Sequence, residues 1–150
     1  MATPQSNKGG LTGSPIRLAT VIVSIVFLLV GIAGFIPGLT TNYDQLQFAG
    51  HHSESFLFGI FQVSILHNIV HLLFGVVGLA MSRTASLARI YLLGGGLVYL
   101  LLWLYGLIID YESAANFVPL NDADNWLHLF LAIGMIGLGF VLRRPVSPRR

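Results

Sequence analysis

Four apolar stretches, each long enough to cross a lipid bilayer, leave this chain little choice of fold. They run from Ile16 to Ile36, from Ser64 to Ala80, from Ile90 to Ile109 and from Asn121 to Leu142. A helix rises ~1.5 Å per residue, so about 20 apolar residues cross the hydrocarbon core. Hydrophobic residues make up 55% of the 150 and charged residues 9%, against about 25% charged in an ordinary soluble domain. A soluble domain this short cannot hide so much apolar surface, because small domains bury the smallest share of theirs. The expected fold is an all-α membrane protein with four transmembrane helices over 16–142. A disordered N-terminal tail, 1–15, and a basic C-terminal tail, 143–150, flank it. The first stretch is longer than the ~7–15-residue apolar region of a cleaved signal and lacks a small-x-small site, so it is read as retained.

Charge sets the orientation. Lys8, Arg17, Arg83, Arg89, Arg143, Arg144, Arg149 and Arg150 all fall on one side of the four stretches. Asp44, Glu54, Asp110, Glu112, Asp122 and Asp124 fall on the other. Basic residues stay inside, so both termini are expected in the cytoplasm. The net charge is only +2, and the basic tail is read as a topological signal, with nucleic acid excluded as a partner. Cysteine is absent, which removes disulfides, thiolate metal sites, iron–sulfur clusters and a cysteine nucleophile.

The second half of the chain repeats the first. A shift of 57 positions lays His67-Asn68-Ile69-Val70-His71-Leu72 over Asp124-Asn125-Trp126-Leu127-His128-Leu129. A shift of 72 lays Arg17 on Arg89, Phe27 on Tyr99 and Gly34 on Gly106. Each unit crosses twice, so the two pseudo-repeated hairpins are expected to be related by an axis along the membrane normal. The register makes Ser64 and Asn121 equivalent helix caps. It leaves 56–63 as a re-entrant or interfacial piece of the outer loop, the alternative being a longer, tilted second helix. The glycine pairs 31/34, 75/78 and 134/137, and Gly94-Gly95-Gly96, are expected at close helix contacts. Phe35, Tyr43, Tyr105, Tyr111 and Trp126 read as interfacial anchors.

Ionisable groups within membrane segments are expensive and mark candidate sites. His67, Asn68 and His71 share one helical face, as do Asp124, Asn125 and His128. His71 and His128 each lie seven residues beyond a cap, about 10 Å below the outer surface. His51 and His52 stand in the adjacent loop as a possible lid. In one reading the cluster is hydrogen-bonded glue: Asn68 to His128, Asn125 to His71, Asp124 to His128. In another, His67, His71, His128 and Asp124 hold a metal ion, or His71 and His128 hold haem b. A proton path is a third. No cofactor is required by the first reading. No nucleophile–base set is evident, so no enzymatic activity is expected.

The segments 57–73 (Leu-Phe-Gly-Ile-Phe-Gln-Val-Ser-Ile-Leu-His-Asn-Ile-Val-His-Leu-Leu) and 121–129 (Asn-Asp-Ala-Asp-Asn-Trp-Leu-His-Leu), with Arg89-Ile90-Tyr91 ahead of the glycine-rich third stretch, resemble a family of small four-pass membrane proteins common in actinobacteria. That family is known only as a domain of unknown function, number forty-three eighty-three. The resemblance covers about Pro15 to Leu142, with Ser64 where the family pattern has Asn. It implies the fold and a bacterial plasma-membrane location, and carries no catalytic residues. The expected function is a non-enzymatic accessory or assembly partner of a larger membrane complex, in contact with lipid and with another membrane protein or further copies of itself. The alternative is a metal- or haem-binding membrane protein.

Overall fold

The structure, a computed structural model, describes residues 14–142; the tail readings at 1–13 and 143–150 lie outside the described residues. Helix α1 spans Pro15–Ala33, α2 Ile65–Met81, α3 Ala85–Gly106 and α4 Asp122–Val141. Each begins where a residue suited to its cap stands. Pro15 occupies the first position of α1, where its missing N–H is no loss. The Ser64 hydroxyl accepts from His67 N at 3.1 Å, and Thr84 does the same for Leu87 N at 3.2 Å. Asn121 and Asp124 cap each other's backbone N–H reciprocally. Ser64 and Asn121 therefore both act as helix caps, as expected. Three boundaries differ from expectation by three residues or more, among them the end of α3 at Gly106 rather than Ile109. Helix α1 stops at Ala33 because the chain turns through Gly34–Pro37, and α3 starts five residues before Ile90 because Thr84 caps it there.

The fold is mostly helical, but it is not all-α. Strands β1 (Thr40–Thr41), β2 (Ser55–Leu57) and β3 (Phe61–Val63) form an antiparallel sheet in that order. The apolar run 56–63 is thus not an extension of α2; it is a strand–turn–strand piece of the outer loop. A short apolar run bears no helical or strand period of its own, and here Gly59 settles the outcome. Phe58 and Gly59 both have positive φ (54° and 71°), and Ile60 N bonds Leu57 O at 3.1 Å. That is the primed turn that matches strand twist.

Many large apolar side chains point outwards while several polar ones point inwards. Ile22, Leu29, Leu73, Val76, Leu101, Phe130 and Ile133 are exposed, whereas Thr20, Ser24, Asn68, His71, Asn125 and His128 are buried. Water would demand the reverse. Helices α1, α3 and α4 are long and apolar enough to cross a membrane; α2, with 17 residues, is shorter. The protein is a membrane protein.

The helices pack as two antiparallel hairpins, α1–α2 and α3–α4. In each, an arginine near the start of the first helix donates to a carbonyl at the end of the second: Arg17 Nε to Ser82 O at 2.8 Å, and Arg89 Nε to Gly139 O at 3.2 Å. At the opposite end a glycine receives an asparagine: Gly34 faces the Asn68 amide and Gly106 the Asn125 amide, with no room for a Cβ. Gly31, Gly75 and Gly78 are similarly filled by Leu72, Leu28 and Ser24, and Gly95 and Gly96 by Met135 and Ile136. Gly94, Gly134 and Gly137 meet nothing within 4 Å, so the pair 134/137 makes no packing contact here; Gly139, against Leu93, does. Replacing Gly34 or Gly106 by Ala should therefore destabilise the protein by about 1–3 kcal/mol through overpacking. Gly134→Ala and Gly137→Ala should be neutral or stabilising by up to about 1 kcal/mol. Reversible unfolding in mixed detergent micelles measures both, and equal effects at the two sets would refute the packing assignment.

Candidate functional site: a histidine-lined cavity

The outer loops carry the site. Asp124, in the first turn of α4, accepts from Asn121 N at 3.0 Å and from Gln62 N of β3 at 2.9 Å, so one carboxylate caps the helix and pins the sheet to it. Gln62 in turn donates its amide to His51 O and Ser53 O, and Asn121 donates to Ile60 O. Carbonyls of Gln47 and Phe48 accept from Ile65 N and Leu66 N, serving donors that the first turn of α2 cannot satisfy itself. The second loop is organised by buried Asn116, which donates to Tyr111 O and Leu120 O and accepts from Leu120 N. Tyr111 donates to Gly106 O at 3.0 Å. Burial pushes its phenol up from the ordinary value, with nearby Asp122 adding to the shift, so it stays protonated as that bond requires.

Beneath these loops four rings form a row. Phe27 and Tyr99 stack with centroids 5.5 Å apart and planes at 14°. His71 lies 5.8 Å from Phe27, and His128 5.3 Å from Tyr99. His67 abuts His71 at 4.7 Å, and its Nδ1 donates to Pro119 O at 3.0 Å. His67, His71 and His128 together line a cavity of about 130 Å³ walled otherwise by apolar and aromatic side chains, Phe74, Tyr99, Leu102 and Phe117 among them.

The family model described as Domain of unknown function (DUF4383) matches residues 17–141, which is the helical body with both outer loops. The chain belongs to this family. No curated protein and no solved structure matches it.

Of the polar residues singled out in this DUF4383 protein, His67, His71 and His128 share the cavity wall, while Asn68 and Asn125 sit in the glycine notches. The hydrogen bonds expected between them do not form. Nδ1 of His71 and His128, Oδ1 of Asn125 and both amide atoms of Asn68 are buried without a partner, because each asparagine is wedged into its own hairpin. Asp124 bonds backbone N–H groups instead of His128. Among the described residues no three histidine or carboxylate groups converge as metal ligands: His67 is held by Pro119 and Asp124 by its two amides. Haem does not fit either, since sites for larger ligands occupy about 300–1,000 Å³. His51 and His52 pack against each other at 3.9 Å. His51 lines an outer recess with Glu54, Gln62 and Tyr111, so neither forms a lid over His71 and His128. Asn116 and the Phe27–Tyr99 stack had no assigned role in the sequence; the shift of 72 that pairs Phe27 with Tyr99 was the available signal.

Stability should follow these contacts. Asp124→Ala should cost about 1–3 kcal/mol, because it strands two part-buried backbone donors, Asn121 N and Gln62 N. His128→Leu should change stability by less than about 1 kcal/mol, since a histidine without hydrogen bonds loses none on truncation. Thermal melts of both variants in detergent check the ordering, and a larger loss for His128→Leu reverses it.

Proposed function

We propose that this protein is a non-enzymatic accessory subunit of a larger membrane assembly, crossing the bilayer four times with both termini in the cytoplasm. The observation that carries the accessory role is a lipid-facing groove of about 390 Å³ between α2 and α3. Leu73, Val77, Ile90 and Val98 form its sides, and Gly94 and Gly95 its floor. Gly94 is open on its outer side, which is what a second helix needs for close backbone approach in lipid. The hydroxyls of Ser24, Ser53 and Ser55 each donate to a backbone carbonyl, and that of Ser64 serves as a cap, so these four hold the fold.

Four crossings are supported by the pairing of α2 with α1 along its full length, from the Arg17–Ser82 bond to the Gly34–Asn68 notch. Two equivalent hairpins are supported by the same shifts of 72 and 57 that align the sequence. They carry Arg17–Ser82 onto Arg89–Gly139, Gly34–Asn68 onto Gly106–Asn125, and Phe27–His71 onto Tyr99–His128.

The orientation is tested by single cysteines, for which the chain offers no background. Cysteine at Gln47 or Ala114 should react with an impermeant thiol reagent in intact cells, and cysteine at Thr84 only after lysis. The opposite pattern inverts the topology. The accessory role is tested on protein extracted with its native lipid belt. A partner membrane protein should co-purify at a fixed ratio, and Gly94→Leu, which fills the groove, should release it. Isolation as a lone chain, or a complex unaffected by Gly94→Leu, overturns the reading.

A further inference from the structure

The ring row is flanked by two cavities, and the shifts that align the hairpins also align them. The shift of 57 carries Val70 onto Leu127, and the shift of 72 carries Val30 onto Leu102. Val70 and Leu102 line the cavity on the α2/α3 side, Val30 and Leu127 the one on the other side. On the latter side the β2–β3 hairpin reaches in. Leu57 and Val63, each 2% exposed, take up the space and leave about 60 Å³. On the α2/α3 side the loop is shorter by the 15 residues that separate the two shifts, and Phe117 and Leu120 line a cavity of about 130 Å³. One position is plugged by the protein's own apolar side chains. Its counterpart is left larger.

We propose that the larger cavity is a binding site for a small uncharged aromatic ring bearing a hydrogen-bonding oxygen, of the phenol or hydroquinone class. Size sets the first limit: an apolar cavity of about 150 Å³ accommodates benzene. Phe74, Tyr99 and Phe117 line the space, favouring a ring that can pack edge-to-face or offset. No charged side chain lines it, which excludes an ion. The histidines call for an oxygen: His71 and His128 line the cavity, are more than nine-tenths buried, and neither ring makes a hydrogen bond within the protein. An imidazole can donate or accept, and a phenolic hydroxyl answers either. Such a ring comes either as a free phenol or as the head group of a prenylated hydroquinone dissolved in the bilayer.

The test uses full-length protein in detergent and 4-fluorophenol observed by ¹⁹F NMR. A saturable change in its resonance is expected, reversed by phenol but not by benzene at about tenfold higher concentration, the factor that one hydrogen bond in a dry site supplies. Val70→Phe and Leu102→Phe should abolish the signal by filling the space. If either fails to fold, His71→Leu and His128→Leu serve, and should weaken binding about tenfold without losing the fold. A hydroquinone carrying one isoprene unit separates the sources. Displacement at much lower concentration than phenol assigns the site to a lipid head group, and displacement no better than phenol assigns it to a free phenol. The proposal is overturned by no saturable signal with the parent protein, by benzene competing as well as phenol, or by unchanged binding in a folded cavity-filled variant.

Discussion

In hydrocarbon, one apolar helix has no more reason to touch another than to touch lipid, so contact distance decides whether helices associate. This fold depends on that constraint. Within each hairpin the backbones come together where a glycine accepts an asparagine, Gly34 with Asn68 and Gly106 with Asn125. An arginine bonded to a terminal carbonyl ties the other end. The stack of Phe27 on Tyr99 then joins the hairpins across the middle. Some large aliphatic side chains, such as Leu28, Leu72 and Ile136, fill the glycine contacts, while many others are turned outwards to the lipid.

The notches explain why the polar core is under-bonded. An asparagine held by its neighbours' shape has no freedom to turn toward a histidine on the facing hairpin, and the histidines are spaced by the aromatic rings between them. Buried polar atoms without partners are rare and expensive. Here two of them, Nδ1 of His71 and of His128, belong to rings that line one cavity, whereas the carboxylate in the same cluster, Asp124, is engaged as a cap and as a clamp on the sheet. The cluster has thus divided its labour: Asp124 and Asn121 hold the outer face together, and His71 and His128 retain unused hydrogen-bonding capacity.

Most of the helical body was legible because its signals are local and strong. Long apolar runs, a cap three residues before a backbone donor, and a repeated Asn-x-x-His-Leu need no knowledge of the rest of the chain. What escaped was tertiary. A run such as Phe56 to Phe61 becomes a hairpin only because Gly59 tolerates the turn and Asp124 and Asn121 receive the strands. Glycines at a spacing of three look alike in sequence, yet Gly31 and Gly34 lie against α2 while Gly134 and Gly137 face open space. Likewise, that His67, Asp124 and His128 share a neighbourhood was readable, but not that Pro119 O and two amides would claim two of them first.

If the two hairpins are the repeat we propose, they match in their helices and differ in their loops, and that contrast points to where the protein is specialised. A contact preserved through both shifts, such as arginine to terminal carbonyl, is what any such hairpin needs in order to stand. A feature present once is available for something else. The 15 additional residues of the first loop supply the sheet, bury Leu57 and Val63 beside Val30 and Leu127, and connect to the second loop through Gly50 N and Phe117 O at 2.7 Å. The second loop has no such insertion, and Asn116 fixes it as a thin roof instead. On the first side Leu57 and Val63 take up the space; on the second, the Asn116 bonds secure the loop above the space that His71 and His128 line.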